Sequence, residues 1–415
     1  MFDYLLTEEQ IKIRDEVRDL VKWVPRQMIL DMDKDEIKFP KEFLQEAGRR
    51  NLMGCRFPKK WGGRDMDWVT TCMIVDEVGV LGYEFACVFG VGAELVCDAI
   101  ILHGTDEQKE KYVKPLLRGE LFAAECLTEP RGGSDFFGAV TVAEDKGDHF
   151  LLNGQKRFIV GGEGADYFMV YARTNPDPKA KPQDSLTALI VDRGPGVETK
   201  YQYGLMGCRG GGTARLVFKD VKVPKENVIG RINGGSEIFY TMMIPERLLT
   251  AAMTIGAAQP AVDIATNYTT RRKAFGKVIN RFQGVSFQVA EAVMLLDASR
   301  SLAYTTARAV DEKVDAGRVR RMISECKKFI TESCQKAVHN SMQVVGGIGY
   351  TNIFPIERIH RDIRLSSIWT GTSEVMSMII AHEWYREFLK LKETRARDFE
   401  ADAEEAFAED EKIYE

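Results

Sequence analysis

The stretch ECLTEPRGGSD, residues 125–135, decides how the rest of the chain is read. Gly132 and Gly133 let backbone N–H groups approach a ligand closely, and the hydroxyls of Thr128 and Ser134 add donors that can turn toward a ring edge or a phosphate oxygen. Taken alone, a glycine-rich turn of this kind is more often a simple chain reversal. Its meaning depends on what lies on either side.

Upstream, TEEQIKIRDEVRDLVKWV starts with Thr7 three residues before Gln10, a capping-box spacing, and Ile13, Val17, Leu20, Val21 and Val24 recur at helical intervals. Further helical patterns, separated by Gly, Pro or Asp, predict an N-terminal α-helical domain over residues 1–120. Downstream, β-prone runs such as HFLLNGQKRFIV, YFMVYAR and ARLVFKDVKVP alternate with turn residues and predict a middle β domain, sheet or barrel, over 121–235. Asn153-Gly154 is expected to be a hairpin turn. Helical spacing returns over 236–390, expected to form a four-helix bundle, and 391–415 is an acidic tail whose last 18 residues hold nine acids and one lysine. The fold class is α+β.

Composition narrows the partners. The 415 residues carry 57 Lys and Arg against 62 Asp and Glu, for a net charge of -5, so no basic field argues for nucleic acid. The eight cysteines lack metal or disulfide spacing and read as reduced core residues of a cytoplasmic protein, with no leader and no integral membrane span expected. The five histidines form no ligand pattern, so no metal is expected. Clusters at 90–94, 207–212 and 346–351 supply glycine, but none sits in the strand, G-x-G-x-x-G and acid arrangement of a Rossmann site.

Cys126, Leu127, Thr128, Glu129, Gly132, Gly133, Ser134 and Asp135 match the first signature of the acyl-CoA dehydrogenase family, which the chain resembles over about residues 5–390. RRKAFGKVINRFQ (271–283) and QVVGGIGYTNIFPIERIHRDIRLSSIWTGTSEV (343–375) are similar to its later motifs. The resemblance implies FAD as cofactor, contacted by Cys126, Leu127, Thr128, Gly133, Ser134, Phe158, Val160 and Thr372. It also implies that Arg272, Phe275, Gln283, Gln343, Gly346 and Gly347 reach the FAD of a neighbouring subunit, as in a homotetramer built as a dimer of dimers. Ser134, Arg247, Thr370 and Gly371 would contact an acyl-CoA substrate, and electron-transferring flavoprotein would be the oxidant. Val160 stands where the family commonly has Thr, so a side-chain hydrogen bond near the flavin is lost there.

Thr370 occupies the position of the glutamate that removes the α-proton in most members, and a threonine hydroxyl cannot act as a base near neutral pH. Isovaleryl-CoA and long-chain acyl-CoA dehydrogenases take their base from a Glu-Arg-Leu sequence on another helix, and this chain has Glu246, Arg247 and Leu248 in SEIFYTMMIPERLLTAA (236–252). Glu246 is therefore the expected catalytic base, on a helix capped by Ser236 and bent at Pro245. A competing reading makes Glu246 the first-turn carboxylate of a new helix.

The implied reaction is α,β-dehydrogenation to the trans-2-enoyl-CoA, with flavin N5 taking the β-hydride. Alternatives are cyclic acyl-CoA dehydrogenation, enoyl-CoA reduction or desulfination, with Glu94 or Asp98 as a replacement acid. A scaffold without flavin is the non-enzymatic alternative.

Overall fold

A computed structural model describes residues 2–177, 179–391, 397 and 399–408. The first helix, Glu8–Trp23, starts where the sequence predicts. Thr7 Oγ1 accepts the Gln10 N–H at 3.2 Å and Gln10 Oε1 accepts the Thr7 N–H at 2.8 Å. Its apolar stripe, Ile13, Val17 and Leu20, is buried against helix Trp68–Gly79. Helices Arg26–Asp33, Lys41–Arg49 and Tyr83–His103 complete most of the N-terminal layer.

The middle of the chain forms an eight-stranded sheet in the order β6-β7-β3-β2-β4-β5-β8, with β1 added in parallel beside β4. The strands are β1 (Ala123–Cys126), β2 (Val142–Asp145), β3 (His149–Ile159), β4 (Tyr167–Arg173), β5 (Leu186–Asp192), β6 (Val197–Gln202), β7 (Ala214–Pro224) and β8 (Val228–Ile229). Alternation divides the side chains between two cores. Ala124, Cys126, Phe168 and Val170 fill one face of the sheet, while Ala123, Tyr167, Met169 and Tyr171 face the helical domains.

Asn153-Gly154 does not form the expected hairpin. Both residues lie inside β3 at a register shift against β7, a β-bulge. Asn153 and Asp220 brace it with bonds of 3.1 and 2.9 Å. Gly154 has φ 153°, and a Cβ there would lie 2.5 Å from Thr141 Oγ1, so glycine serves close approach here rather than chain reversal.

The C-terminal domain packs four long helices, Gly235–Arg271, Gln283–Asp311, Ala316–Val345 and Ser373–Leu391, with the third touching each of the others. The first is capped by Gly234, not Ser236, and runs unbroken through Pro245 and Pro260. Glu246 thus lies in mid-helix, which overturns the reading that it opens a new one. Tyr83–His103 and Gly235–Arg271 are long and apolar enough to cross a bilayer, but their apolar windows are 83% and 78% buried within the fold. Within the tail, residues 399–402 form one helical turn, and 392–396, 398 and 409–415 lie outside the described residues.

The long helix crosses helix Trp68–Gly79 at glycine. A Cβ on Gly256 would sit 1.9 Å from the Asp76 carbonyl oxygen and 3.0 Å from Gly79 Cα. Beside this crossing, Arg300 Nε binds Asp76 Oδ2 at 2.7 Å, tying a third helix to the same point. Gly256→Ala is expected to force the two backbones apart and cost roughly 3 kcal/mol, seen as a lower urea midpoint of the flavin-loaded protein. A wild-type midpoint would contradict so close a crossing.

Candidate functional site

Glu246 projects from the long helix two turns beyond Phe239, hence from nearly the same face. Phe239 stacks on Phe136 at 4.1 Å, and Phe136 meets the Tyr171 ring edge-on at 5.2 Å. This face of the helix therefore looks toward the sheet. Glu246 is only half-buried as a residue, but its Oε2 is enclosed and has no hydrogen-bond partner among the described residues.

Burial raises the Glu246 carboxyl to about 7, against the opposing pull of Arg247 and Lys327. Burial conversely lowers Lys327 to about 8, helped by Arg247, and lowers Arg247 to about 10 against the attraction of Glu246. Neither cation is spent on a direct ion pair with Glu246. Arg247 Nε donates to the Thr370 carbonyl at 3.4 Å, and Lys327 Nζ donates to the Gly371 carbonyl at 2.7 Å.

Those two bonds hold the turn at Thr370 and Gly371. Thr370 has φ 54°, uncommon and costly for a β-branched residue, and Gly371 follows at φ 93°. Trp369 Nε1 donates to Tyr83 Oη at 3.0 Å, anchoring the turn to the N-terminal layer. Thr372 Oγ1 accepts the Val375 N–H at 3.3 Å at the start of helix Ser373–Leu391, and Thr370 Oγ1 is buried without a partner among the described residues. In this structure Arg247 meets the Thr370 backbone directly.

The signature loop is fixed from beneath by Glu129. Its carboxylate accepts the Val140 and Thr141 N–H groups at 2.7 and 3.0 Å and pairs with fully buried Lys156 at 2.9 Å. Although burial pushes the Glu129 pKa up, Lys156 and these bonds hold it below the ordinary carboxylate value. Above this anchor Thr128 and Leu127 are half-buried, and Gly133 and Ser134 are exposed. The Cys126 side chain turns into the far core of the sheet, which leaves its backbone as the part available to a ligand. Phe158, at φ 58°, is 49% exposed and packs 4.6 Å from the Tyr203 ring, while Val160 packs against the helical core.

Arg272, Phe275, Gln283, Gln343, Gly346 and Gly347 are all exposed. Among the described residues no hydrogen bond or ion pair joins them to Glu246 or to residues 128–134. A Cβ at Gly276, Gly346 or Gly347 would meet nothing within 4 Å, so backbone there is open to a ligand or a second chain. Arg272 has no ion-pair partner among the described residues, and buried Arg157 Nε beside Phe158 is likewise unpartnered. Free donors, open glycine backbone and an exposed aromatic ring suit a flavin dinucleotide.

The alternative acids are committed elsewhere. Glu94 Oε1 accepts the Gly54 N–H at 3.0 Å, and Arg56 lies 3.4 Å from Glu94 and 2.9 Å from Asp98. Arg56 in turn stacks 3.8 Å over Trp68. Glu94 and Asp98 thus form an ion-pair cluster inside the N-terminal layer, and the expectation that either replaces the base is corrected. Sequence reasoning passed over Lys327, Tyr171 and Glu125. The last had a visible signal, a lone acid in the buried strand Ala-Ala-Glu-Cys.

Three profiles cover most of the chain: the acyl-CoA dehydrogenase N-terminal domain matches residues 7–120, the middle domain 124–221 and the C-terminal domain 233–384. The 3-(aryl)acrylate reductase of Clostridium sporogenes is 35% identical over 90% of this chain and 98% of its own. The caffeyl-CoA reductase-Etf complex subunit CarC of Acetobacterium woodii is also 35% identical, over 90% and 98%. Butyryl-CoA dehydrogenase from Megasphaera elsdenii superposes with a TM-score of 0.87 at 30% identity, covering 92% of this chain and 99% of its own. The chain belongs to the acyl-CoA dehydrogenase family of oxidoreductases, flavoproteins whose cofactor is FAD.

Proposed function

We propose that this protein removes the α-proton of an acyl-CoA thioester with Glu246 and yields the trans-2-enoyl-CoA. The observation that carries the reading is an enclosed carboxyl oxygen without a partner, on a group raised to about 7, behind a turn clamped by Arg247 and Lys327. A carboxylate of that basicity is matched to proton transfer at neutral pH. Bound FAD supplies the acceptor for the β-hydride. Thr370 contributes backbone rather than side chain, its N–H being the donor offered to the thioester carbonyl as negative charge develops there. Thr128, Ser134, Phe158 and Val160 hold the flavin on the same chain, and Arg272, Phe275, Gln283, Gln343 and Gly346 to Gly347 serve a neighbouring subunit's FAD.

A second direction shares the same group. Two relatives are named as reductases, and a carboxyl at about 7 can deliver a proton to Cα as readily as remove one. Electron-transferring flavoprotein is the proposed redox partner, in keeping with the Etf complex in one relative's name. The proposed assembly is a homotetramer in the cytoplasm. Its support is the apolar surface left on the C-terminal domain, where Phe275 is 94%, Tyr350 83% and Ile353 66% exposed.

Glu246→Gln should retain bound flavin yet slow bleaching of the flavin by a saturated acyl-CoA by about 10²–10⁴-fold. Undiminished bleaching would remove Glu246 from the mechanism. In the wild type the bleaching rate should fall as pH drops below about 7, because the base works only when deprotonated. Lys327 holds the Glu246 pKa down, so Lys327→Met should move that midpoint to higher pH. A midpoint left in place would show that Lys327 acts only on Gly371.

A further inference from the structure

Glu125 lies in β1 immediately before the signature and has no part in proton removal by Glu246 or in hydride transfer. Its strand neighbours Ala124 and Cys126 enter the far core, whereas Ala123 joins the helical core, so alternation puts Glu125 on the face turned toward the long helix. On β4, Tyr171 is fully buried and belongs to that same face. The contact chain Tyr171, Phe136, Phe239 carries this face onto the helical stripe bearing Glu246, and helix Tyr83–His103 packs against β1 at the side.

Among the described residues, Glu125 Oε1, Tyr171 Oη and Glu246 Oε2 are all buried and without hydrogen-bond partners. Buried polar atoms are normally paired, and among the described residues that lack a partner these three lie on facing surfaces of the sheet and the long helix, with Glu125, in register with Met169, sharing one face of β1 and β4 with Tyr171. The groups feel one another. Burial and then the Glu246 charge raise the Glu125 carboxyl far above its ordinary value, and burial and then Glu125 and Glu246 raise the Tyr171 phenol.

The cations of this region are engaged by other groups. Lys156 is engaged by Glu129 at 2.9 Å and the Leu127 carbonyl at 3.1 Å. Arg247 and Lys327 are directed to the carbonyls of Thr370 and Gly371. Glu125 and Tyr171 therefore present two neutral O–H groups, each able to donate and to accept, beside the reacting carboxylate. An all-hydrocarbon acyl chain would leave both unpaired, whereas an oxygen function on the chain would satisfy them together.

Resting on the dehydrogenase reading, we propose that Glu125 and Tyr171 form a specificity pocket for acyl groups that carry an oxygen substituent, a hydroxyl or a carboxyl, beyond the carbons that react. The shared chemistry is an oxygen that accepts a hydrogen bond from one of the two O–H groups. A hydroxyl can also return one to the other, and a carboxyl can engage both.

Valeryl-CoA, 5-hydroxyvaleryl-CoA and glutaryl-CoA have equal chain length and separate the cases. With flavin-loaded wild type, kcat/KM for at least one oxygenated thioester should exceed that for valeryl-CoA by about tenfold or more, since a site built for a hydrogen bond rejects the analogue lacking it. The better of the two identifies hydroxyl or carboxyl as the group received. Glu125→Leu and Tyr171→Phe should each bring the ratio toward one, while Glu125→Gln, which keeps a donor and an acceptor, should preserve most of it. Dissociation constants measured on Glu246→Gln holoenzyme, where turnover is blocked, should show the same ranking.

Equal ratios in wild type and Glu125→Leu would overturn the pocket and leave the dehydrogenase reading standing. A changed pH midpoint in Glu125→Leu with an unchanged ratio would also overturn it, making Glu125 a partner of Glu246 alone. Absence of bleaching by every thioester, with undiminished flavin content, would overturn the dehydrogenase reading and the pocket with it.

Discussion

The site depends on holding one carboxyl group out of water without giving it a direct counter-ion. One carboxyl oxygen of half-buried Glu246 is enclosed, and Arg247 and Lys327 lie near enough to lower its pKa but bind backbone carbonyls instead. A direct ion pair would make the carboxylate too weak a base, and a purely apolar enclosure would keep it protonated. The position between these limits brings it to about 7. The same two cations hold Thr370 and Gly371 in left-handed backbone conformations, so basicity and turn geometry are set by one arrangement.

The rest of the molecule supplies the rigidity this requires. The Gly256 crossing and the Asp76 to Arg300 pair fix the long helix to the N-terminal layer. The Glu129 to Lys156 pair fixes the signature loop to the sheet, and the Trp369 to Tyr83 bond ties the turn at 370 to helix Tyr83–His103. Each domain thus contributes one anchor to a site that none of them contains whole.

Much of this was legible in the sequence. Capping at Thr7 and the order of helices, sheet and helices follow from local pattern, and motif resemblance is what singles out Glu246 as the proposed base. Where the reading failed, longer-range packing decided. Asn153-Gly154 carries the turn signal, but pairing on both sides of β3 absorbs it as a bulge. Pro245 looks like a break, yet the surrounding bundle carries the helix through it. Glu94 and Asp98 look available until Arg56, distant in sequence, is seen to claim them. Lys327 gave no signal because its meaning lies in what faces it across the fold, and Glu125 gave only that of a lone acid in a buried strand.

The central claim concerns proton removal, and it can be measured without hydride transfer. A 3-thia-acyl-CoA has acidic α-hydrogens but sulfur at the β-position, so it has no β-hydride to give. Incubated with the flavin-loaded protein in deuterium oxide and followed by proton NMR, it should lose its α-hydrogen signal rapidly with wild type and only at the background rate with Glu246→Gln. Equal exchange by the two proteins would show that another group takes the proton, contradicting the assignment of Glu246 as the base.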